Sequence, residues 1–225
     1  MKKVLVLAVA MSTMLTITGC DVKFGVKEKN YHKGEVVSID NKVVYNGENE
    51  IDIDLGCGVI EISSYDGDEV LVDGKTYKDF NTINVESSGN KIKIEDTGSS
   101  RSKIDLYKNI DDIEPNVKIK IPNKFTGDMV FKYGAGEISV NNLTCNKLKV
   151  EGGAGQLNID LKKVGGNLTC ESGMGEVNIK IPEDAPVYFD SETGLGEMNL
   201  KAKTSGENLY KYSLKVGMGE ITVYN

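Results

Sequence analysis

Five acidic or amide side chains, each following a short glycine motif, are the residues of this sequence best placed to do chemistry. Every copy reads Gly-x-Gly, then glutamate or glutamine, then an aliphatic residue, and the polar residues are Glu137, Gln156, Glu176, Glu197 and Glu220. Regularly spaced carboxylates could bind a hard cation such as calcium, or a cationic partner. Calcium loops usually combine oxygen ligands at tight spacing, and the sequence has no Asp-x-Asp-x-Asp run. Solvent-screened glutamates near lysines are the alternative interpretation, and we predict no metal site.

A second polar position follows two residues after each of these side chains. Its occupants are Ser139, Asn158, Asn178, Asn199 and Thr222. If the copies stack as parallel strands, asparagines in this row can hydrogen-bond along the stack, whereas adjacent glutamates repel one another. We therefore predict one exposed binding face, formed by Glu137, Glu176, Glu197 and Glu220 together with Asn158, Asn178 and Asn199.

The sequence contains few of the residue combinations that enzymes use for catalysis. The single histidine, His32, lies outside the repeats, so a Ser-His-acid or Cys-His site lacks its base. A Gly-x-Gly phosphate cradle needs a helix directly after the glycines, and strand patterns follow here. A glycosidase using a pair of carboxylates is the enzyme alternative that stays open. We predict a protein that is not an enzyme and needs no cofactor.

Three cysteines outside the N-terminal segment, Cys57, Cys145 and Cys170, have no C-x-x-C spacing. Without such spacing or a nearby histidine they do not form a zinc site. Since free cysteine is among the most buried residue types, we expect all three to be small core residues. An odd number of thiols leaves at least one unpaired within the chain.

The charge balance argues against nucleic-acid binding. The chain carries a net charge of −7 and a single arginine, Arg101, with no basic run. An acidic surface repels the phosphate backbone, and it also helps to keep an exported domain soluble.

The first nineteen residues have the pattern of an export signal. Lys2 and Lys3 precede a charge-free run, 4–18, that is too short for an ordinary membrane span. The run ends in Ile17-Thr18-Gly19-Cys20, which resembles the bacterial lipobox. The resemblance implies cleavage after Gly19 and lipid modification of Cys20, with palmitate-type acyl chains that anchor the protein to the outer face of the cell membrane. We interpret 20–34 as the lipid-anchored cysteine and its tether.

Alternating apolar residues predict an all-β protein from residue 35 onward. Runs such as Ile51–Leu55, Val117–Ile121 and Leu157–Leu161 place apolar side chains at every second position, which is typical of a strand with one buried face. Turn-forming residues separate the runs. They are Asp66-Gly67, interpreted as a hairpin turn, Asp73-Gly74, Ser88-Gly89-Asn90 and Gly165-Gly166.

The Gly-x-Gly motif recurs at a period of about twenty residues, which indicates stacked coils. The first glycines of the five copies are separated by 19, 20, 21 and 23 residues, and Gly56-Cys57-Gly58 resembles a diverged sixth copy. Apolar residues change parity across each motif, so glycine must turn the chain if both sets are to face one core. The residue between the glycines is always apolar, and we expect it to be buried at the corner. The sequence therefore predicts a β-solenoid or β-helix-like stack.

Two portions follow from these patterns: a hairpin-rich N-terminal β portion, 35–124, that contributes early coils and caps the stack, and a repeat portion, 125–225. From about Ile51 to Asn225 the chain resembles a family of bacterial β-strand-repeat proteins described as putative adhesins. The matching segments are Leu55–Ile62, Val117–Pro122 and the serial Gly-x-Gly units. The resemblance implies a cell-surface module of Gram-positive type, with a role in adhesion, envelope scaffolding or stress sensing and an unidentified envelope or extracellular partner.

Overall fold

Strands make up the regular secondary structure of the part of the chain that can be described. The computed structural model describes residues 36–77, 83–97 and 116–225, and within these ranges eleven strands and no helix occur, so none of these residues forms a membrane-spanning helix. The signal segment, Cys20, the tether, His32 and Arg101 lie outside the described residues. The strands are β1 (Val36–Val44), β2 (Glu50–Tyr65), β3 (Glu69–Tyr77), β4 (Ile83–Ser88), β5 (Lys91–Asp96), β6 (Asn116–Pro122), β7 (Asp128–Asn141), β8 (Lys147–Asp160), β9 (Asn167–Lys180), β10 (Val187–Leu200) and β11 (Tyr210–Tyr224).

Six long parallel strands carry the Gly-x-Gly motifs and lie side by side in register. The strand order is β2-β7-β8-β9-β11-β10, and each second glycine pairs with the second glycine of the next strand. Gly58 pairs with Gly136 in this series, which confirms Gly56-Cys57-Gly58 as a sixth copy. The prediction of an all-β protein is also confirmed, as a mostly parallel sheet of eleven strands.

The predicted change of parity takes place at the glycines. In β7, Phe131 and Tyr133 are buried before the motif, and Ile138 and Val140 are buried after it. The second glycine of this copy, Gly136, has φ +141°, a conformation that residues with a side chain rarely adopt. Both halves of a strand therefore supply side chains to one hydrophobic core.

The order of the last two strands differs from their order in the chain, because β11 lies between β9 and β10. A strand inside a sheet must bury its inward side chains against neighbours on both sides. At matching positions β11 offers Leu214 and Val216, which are buried, where β10 offers Ser191 and Thr193. The more apolar strand thus occupies the interior position, and the more polar strand forms the edge.

The N-terminal strands add antiparallel pairs to the parallel stack. The first half of β2 pairs with β5 and its second half pairs with β6, both in parallel. Antiparallel pairs then extend each side: β4 pairs with β5, β3 pairs with β6, and β1 pairs with β3. Ser88-Gly89-Asn90 forms the expected turn of a hairpin between β4 and β5.

Two turn predictions for the N-terminal strands are wrong. Asp66-Gly67 connects β2 to β3, but these strands do not form a hairpin, because β6 lies between them in the sheet. Asp73-Gly74 lies inside β3. Glycine is needed there for a close approach, since a Cβ atom on Gly74 would lie 2.0 Å from the carbonyl oxygen of Asn116.

Candidate functional site

The residues between the paired glycines form an apolar line across the stack, partly exposed in its first three members and exposed in its last three, which we call the corner row. In spatial order its members are Cys57, Ala135, Ala154, Met174, Met218 and Leu195. The expectation that this position is buried is wrong: Leu195 is 72% exposed, Met174 52% and Met218 46%. The chain bends toward the core at the glycines, so the residue between them lies on the outside of the bend.

Beside the corner row lies a line of acidic residues, which we call the acid row. In spatial order it contains Glu137, Gln156, Glu176, Glu220 and Glu197, each in register with the next. Neighbouring strands in a sheet are about 4.8 Å apart, so Glu176, Glu220 and Glu197 form three consecutive like charges. Gln156 separates Glu137 from them.

Amide and hydroxyl side chains of the next polar position hold parts of the acid row in place. Asn178 donates to Glu176 at 2.9 Å and to the Asn158 side chain at 3.2 Å. Asn199 and Thr222 donate to the same Oε1 atom of Glu220, at 2.7 and 3.0 Å. The expected asparagine contact along the stack therefore occurs between Asn158 and Asn178, whereas Asn199 binds a carboxylate.

These hydrogen bonds affect the ionisation of Glu220. The bond from Asn199, then that from Thr222, lowers the pKa of the Glu220 carboxyl group, with a further contribution from the charge of Lys201. A donor that binds the carboxylate stabilises its ionised form. Glu220 is therefore held as an anion and is poorly suited to donate a proton.

The charge pattern differs on the other side of the corner, where lysines lie among the acidic residues. Lys132 lies 3.6 Å from Glu151, and Lys215 lies 3.2 Å from Glu192. Lys149 also contacts Glu151. Within the described residues, no comparable ion pair is formed by Glu137, Glu176, Glu197 or Glu220. The acid row is thus the less compensated of the two surfaces.

A shallow depression lies where the corner row and the acid row meet at the C-terminal end of the stack. Its volume is about 750 Å³, and its side chains come from the last four strands of the sheet order. They are Gln156, Met174, Glu176, Glu197, Met218 and Glu220, with glycines between them. The surface therefore combines flexible apolar side chains with fixed negative charge.

The cysteines do not form a reactive centre in this structure. Cys145 and Cys170 are buried, as expected, and burial raises the pKa of each thiol to about 12. A thiol with this pKa stays protonated at neutral pH and is a poor nucleophile. Cys57 was also expected in the core, but it lies partly exposed in the corner row. Across the described residues, no group of three or more histidine, cysteine or acidic side chains could hold a metal ion.

Every predicted site residue of the exposed face lies on one side of the stack, because the register aligns all six motifs. The apolar half of this surface was not predicted from the sequence. A signal was present, since the residue between the glycines changes from cysteine and alanine in the early copies to methionine and leucine in the last three. Large side chains at an outward corner create an exposed apolar patch.

The chain matches crystal structures of proteins from three bacteria. A "putative cell adhesion protein" from Clostridium sporogenes has 16% sequence identity, a TM-score of 0.68, and a match covering 84% of this chain and 99% of that one. A "putative adhesin" from Bacteroides fragilis has 16% identity and a TM-score of 0.34, with coverage of 84% and 97%. A "putative lipid binding protein" from Parabacteroides distasonis has 13% identity and a TM-score of 0.29, with coverage of 84% and 98%. At this identity the first likeness concerns the fold alone.

The sequence itself identifies the family. Residues 27–180 match the model described as the N-terminal domain of toast_rack, DUF2154, and the chain belongs to this family. No curated protein matches the sequence. The expected resemblance to β-strand-repeat proteins described as adhesins is confirmed.

Proposed function

We propose that this protein is a non-enzymatic cell-surface module that binds an envelope or extracellular partner through the corner row and the acid row. The observation that carries the proposal is the continuous apolar line beside three consecutive glutamates that form no ion pair with any other described residue. Such a surface suits a partner that presents apolar side chains together with basic groups. Adhesion, scaffolding of the envelope and stress sensing are roles in which such a module would serve.

The proposed architecture is a β-solenoid of about twenty-residue coils. Each long strand supplies two flat segments that meet at the glycines, and a short connection returns the chain to the start of the next parallel strand. The N-terminal strands, within 35–124, would cap this stack, and 125–225 would form the repeat portion. A rigid stack of this kind keeps the two rows straight and their spacing constant.

The proposed location is the outer face of the cell membrane, with the chain anchored through lipidated Cys20. The lipobox-like sequence Ile17–Cys20 supports the anchor, and a surface position suits a binding module of a Gram-positive bacterium. Cell fractionation tests this proposal. We expect the chain in the membrane fraction, released by detergent and not by high salt, because acyl chains rather than charges hold it. Recovery of wild-type chain in the salt wash would contradict the anchor.

The binding surface can be tested by removing its charge without changing its shape. The triple variant Glu176→Gln, Glu197→Gln, Glu220→Gln should weaken binding of the protein to isolated cell envelopes by about tenfold or more, since three charges of the contact are lost. Circular dichroism should show an unchanged fold, because these side chains lie on the surface. Wild-type binding should also weaken as the salt concentration rises.

The matched control is the triple variant Asp40→Asn, Asp66→Asn, Asp73→Asn, which removes the same charge from β1, from β3 and from the turn before β3, at the far end of the sheet from β10. It should bind as the wild type does. Equal binding by both triple variants and the wild type would exclude the acid row as the contact surface.

A carbohydrate-active enzyme using a carboxylate pair is the second candidate. Three neighbouring glutamates favour it, but such an enzyme needs one carboxyl group that stays protonated, and Glu220 is stabilised as an anion. Release of reducing sugars from envelope polysaccharide that is abolished by Glu220→Gln would support this candidate over the binding module.

A further inference from the structure

The two ends of the sheet differ in how they terminate. At the N-terminal end, β1 and β4 are short antiparallel strands, and the Asn41 side chain of β1 donates to the Ile83 carbonyl of β4 at 2.8 Å. At the other end, β10 pairs with β11 on one side only, within the described residues. A strand of fourteen residues therefore presents one edge without a strand partner there.

Inward side chains of β10 are incompletely covered. Phe189 and Met198 are partly buried and Leu200 is 41% exposed, whereas their register partners on β11, Tyr212, Ile221 and Val223, are at most 1% exposed. The hydrophobic core thus extends to β10, and the inward side chains of this last strand remain partly exposed to solvent. An added strand on this edge would bury these side chains.

Outward apolar side chains gather at the same edge. Leu195 lies at the corner of β10 and is 72% exposed, and Tyr188 lies near the start of β10 and is 41% exposed. An exposed apolar patch along an unpaired strand edge is a common site of association.

The bend in β10 restricts which strand can add to this edge. A straight strand would pair with only one of the two halves, whereas a strand with the same bend follows both. A second copy of β10 satisfies this condition when it runs antiparallel with its corner at the same place. The first half of β10 in one protomer then lies beside the second half of β10 in the other. Inward side chains of the two strands lie next to each other on the same face.

This corner-to-corner register also matches the charges. With Leu195 opposite Gly196 of the other copy, Asp190 lies opposite Lys201, and Glu197 lies opposite Gly194. Lys201 follows the end of β10 and remains beside β11, where its amide donates to the Val223 carbonyl at 2.8 Å. No acidic residue of β10 faces an acidic residue of its copy, so the edge is complementary to itself.

We infer that this protein forms a two-fold symmetric dimer in which the β10 edges of two copies pair antiparallel. The pairing closes the open end of the core and joins the two sheets. It also places the two corner rows end to end at Leu195, which makes one apolar line of twice the length. A dimer of this kind presents two copies of the proposed binding surface to one partner, so weak contacts add.

A charge exchange tests the inferred register. The full-length chain in detergent should sediment as a dimer, and Asp190→Lys and Lys201→Glu should each raise the dimer dissociation constant by about tenfold, because each symmetric dimer then contains two like-charge pairs. An equimolar mixture of the two variants should restore dimerisation, because both pairs become attractive in the mixed dimer. Asp190 also pairs with Lys211 of its own chain, and Asp190→Lys removes this pair, but the side chains are exposed, so both variants should fold.

The controls are Asp54→Lys on β2 and Lys120→Glu on β6, which make the same charge changes away from β10. They should dimerise as the wild type does. A wild-type chain that remains monomeric at the highest concentration reached would overturn the inference, as would a mixture of the two β10 variants that associates no better than either variant alone.

Discussion

Replacing Gly155 with alanine is expected to lower the free energy of unfolding by at least about 3 kcal/mol. Gly155 has φ +124°, and a Cβ atom there would lie 2.0 Å from the carbonyl oxygen of Gly136 on the neighbouring strand. That oxygen belongs to backbone, so no side chain can rotate away. Relief of the contact would require β7 and β8 to separate at the corner, where the packing of both strand halves depends on their register.

Gly89→Ala is the matched control, because it introduces the backbone strain of a positive φ without the steric contact between strands. Gly89 also has positive φ, +62°, but nothing lies within 4 Å of the position of its Cβ atom. Its replacement should therefore cost only about 1 kcal/mol. Urea unfolding followed by circular dichroism measures both values. Similar costs for the two variants would show that the strands do not approach closely at the glycines.

The second large effect is expected at the inverted strand pair. Ile221 of β11 is fully buried between β9 and β10, and Ile221→Ala should cost about 3 to 4 kcal/mol because a buried isoleucine loses its packing and leaves a cavity. Met198, its register partner on β10, is only partly buried, so Met198→Ala should cost about 1 kcal/mol.

The comparison of these two variants tests the strand order. If β10 and β11 stacked in chain order, Met198 would be the interior residue and Ile221 the one at the edge. The same urea experiment measures both variants, with Leu157→Ala in β8 as an interior reference. A larger cost for Met198→Ala than for Ile221→Ala would contradict the inverted order.

Local features of the sequence were sufficient to predict much of this fold. Period-two alternation predicted the strands, and the change of parity around Gly134-Ala135-Gly136 predicted a bend that turns both halves toward one core. The spacing of the motifs predicted that Glu176 and Glu220 belong to one row. These predictions succeed because they depend on the chain near each motif and on a repeat that aligns successive copies.

Features that depend on competition between distant segments could not be predicted in this way. The last two copies of the motif, on β10 and β11, follow the same pattern, so the pattern does not indicate which of these two strands lies inside the sheet. The interior position goes to β11 because Leu214 gains more from burial than its register partner on β10, Ser191. This preference becomes visible only when the two strands are compared as candidates for the same position. The outward direction of Leu195 likewise depends on the sense of the bend, which the apolar character of this position does not indicate. Asp66-Gly67 has the residue types of a hairpin turn. The strand that separates β2 from β3 is β6, which comes from a later part of the chain, so the residues near the turn do not indicate its presence.

Cross-linking of thiols in the corner row tests the central claim most directly, namely that the motifs stack in register with β11 between β9 and β10. In a Cys57→Ser background, Met174→Cys with Met218→Cys places two thiols on adjacent strands, and Met174→Cys with Leu195→Cys places them two strands apart. A short bifunctional thiol reagent should bridge the first pair and leave the second unbridged. Efficient bridging of Met174→Cys to Leu195→Cys, with none to Met218→Cys, would contradict this account.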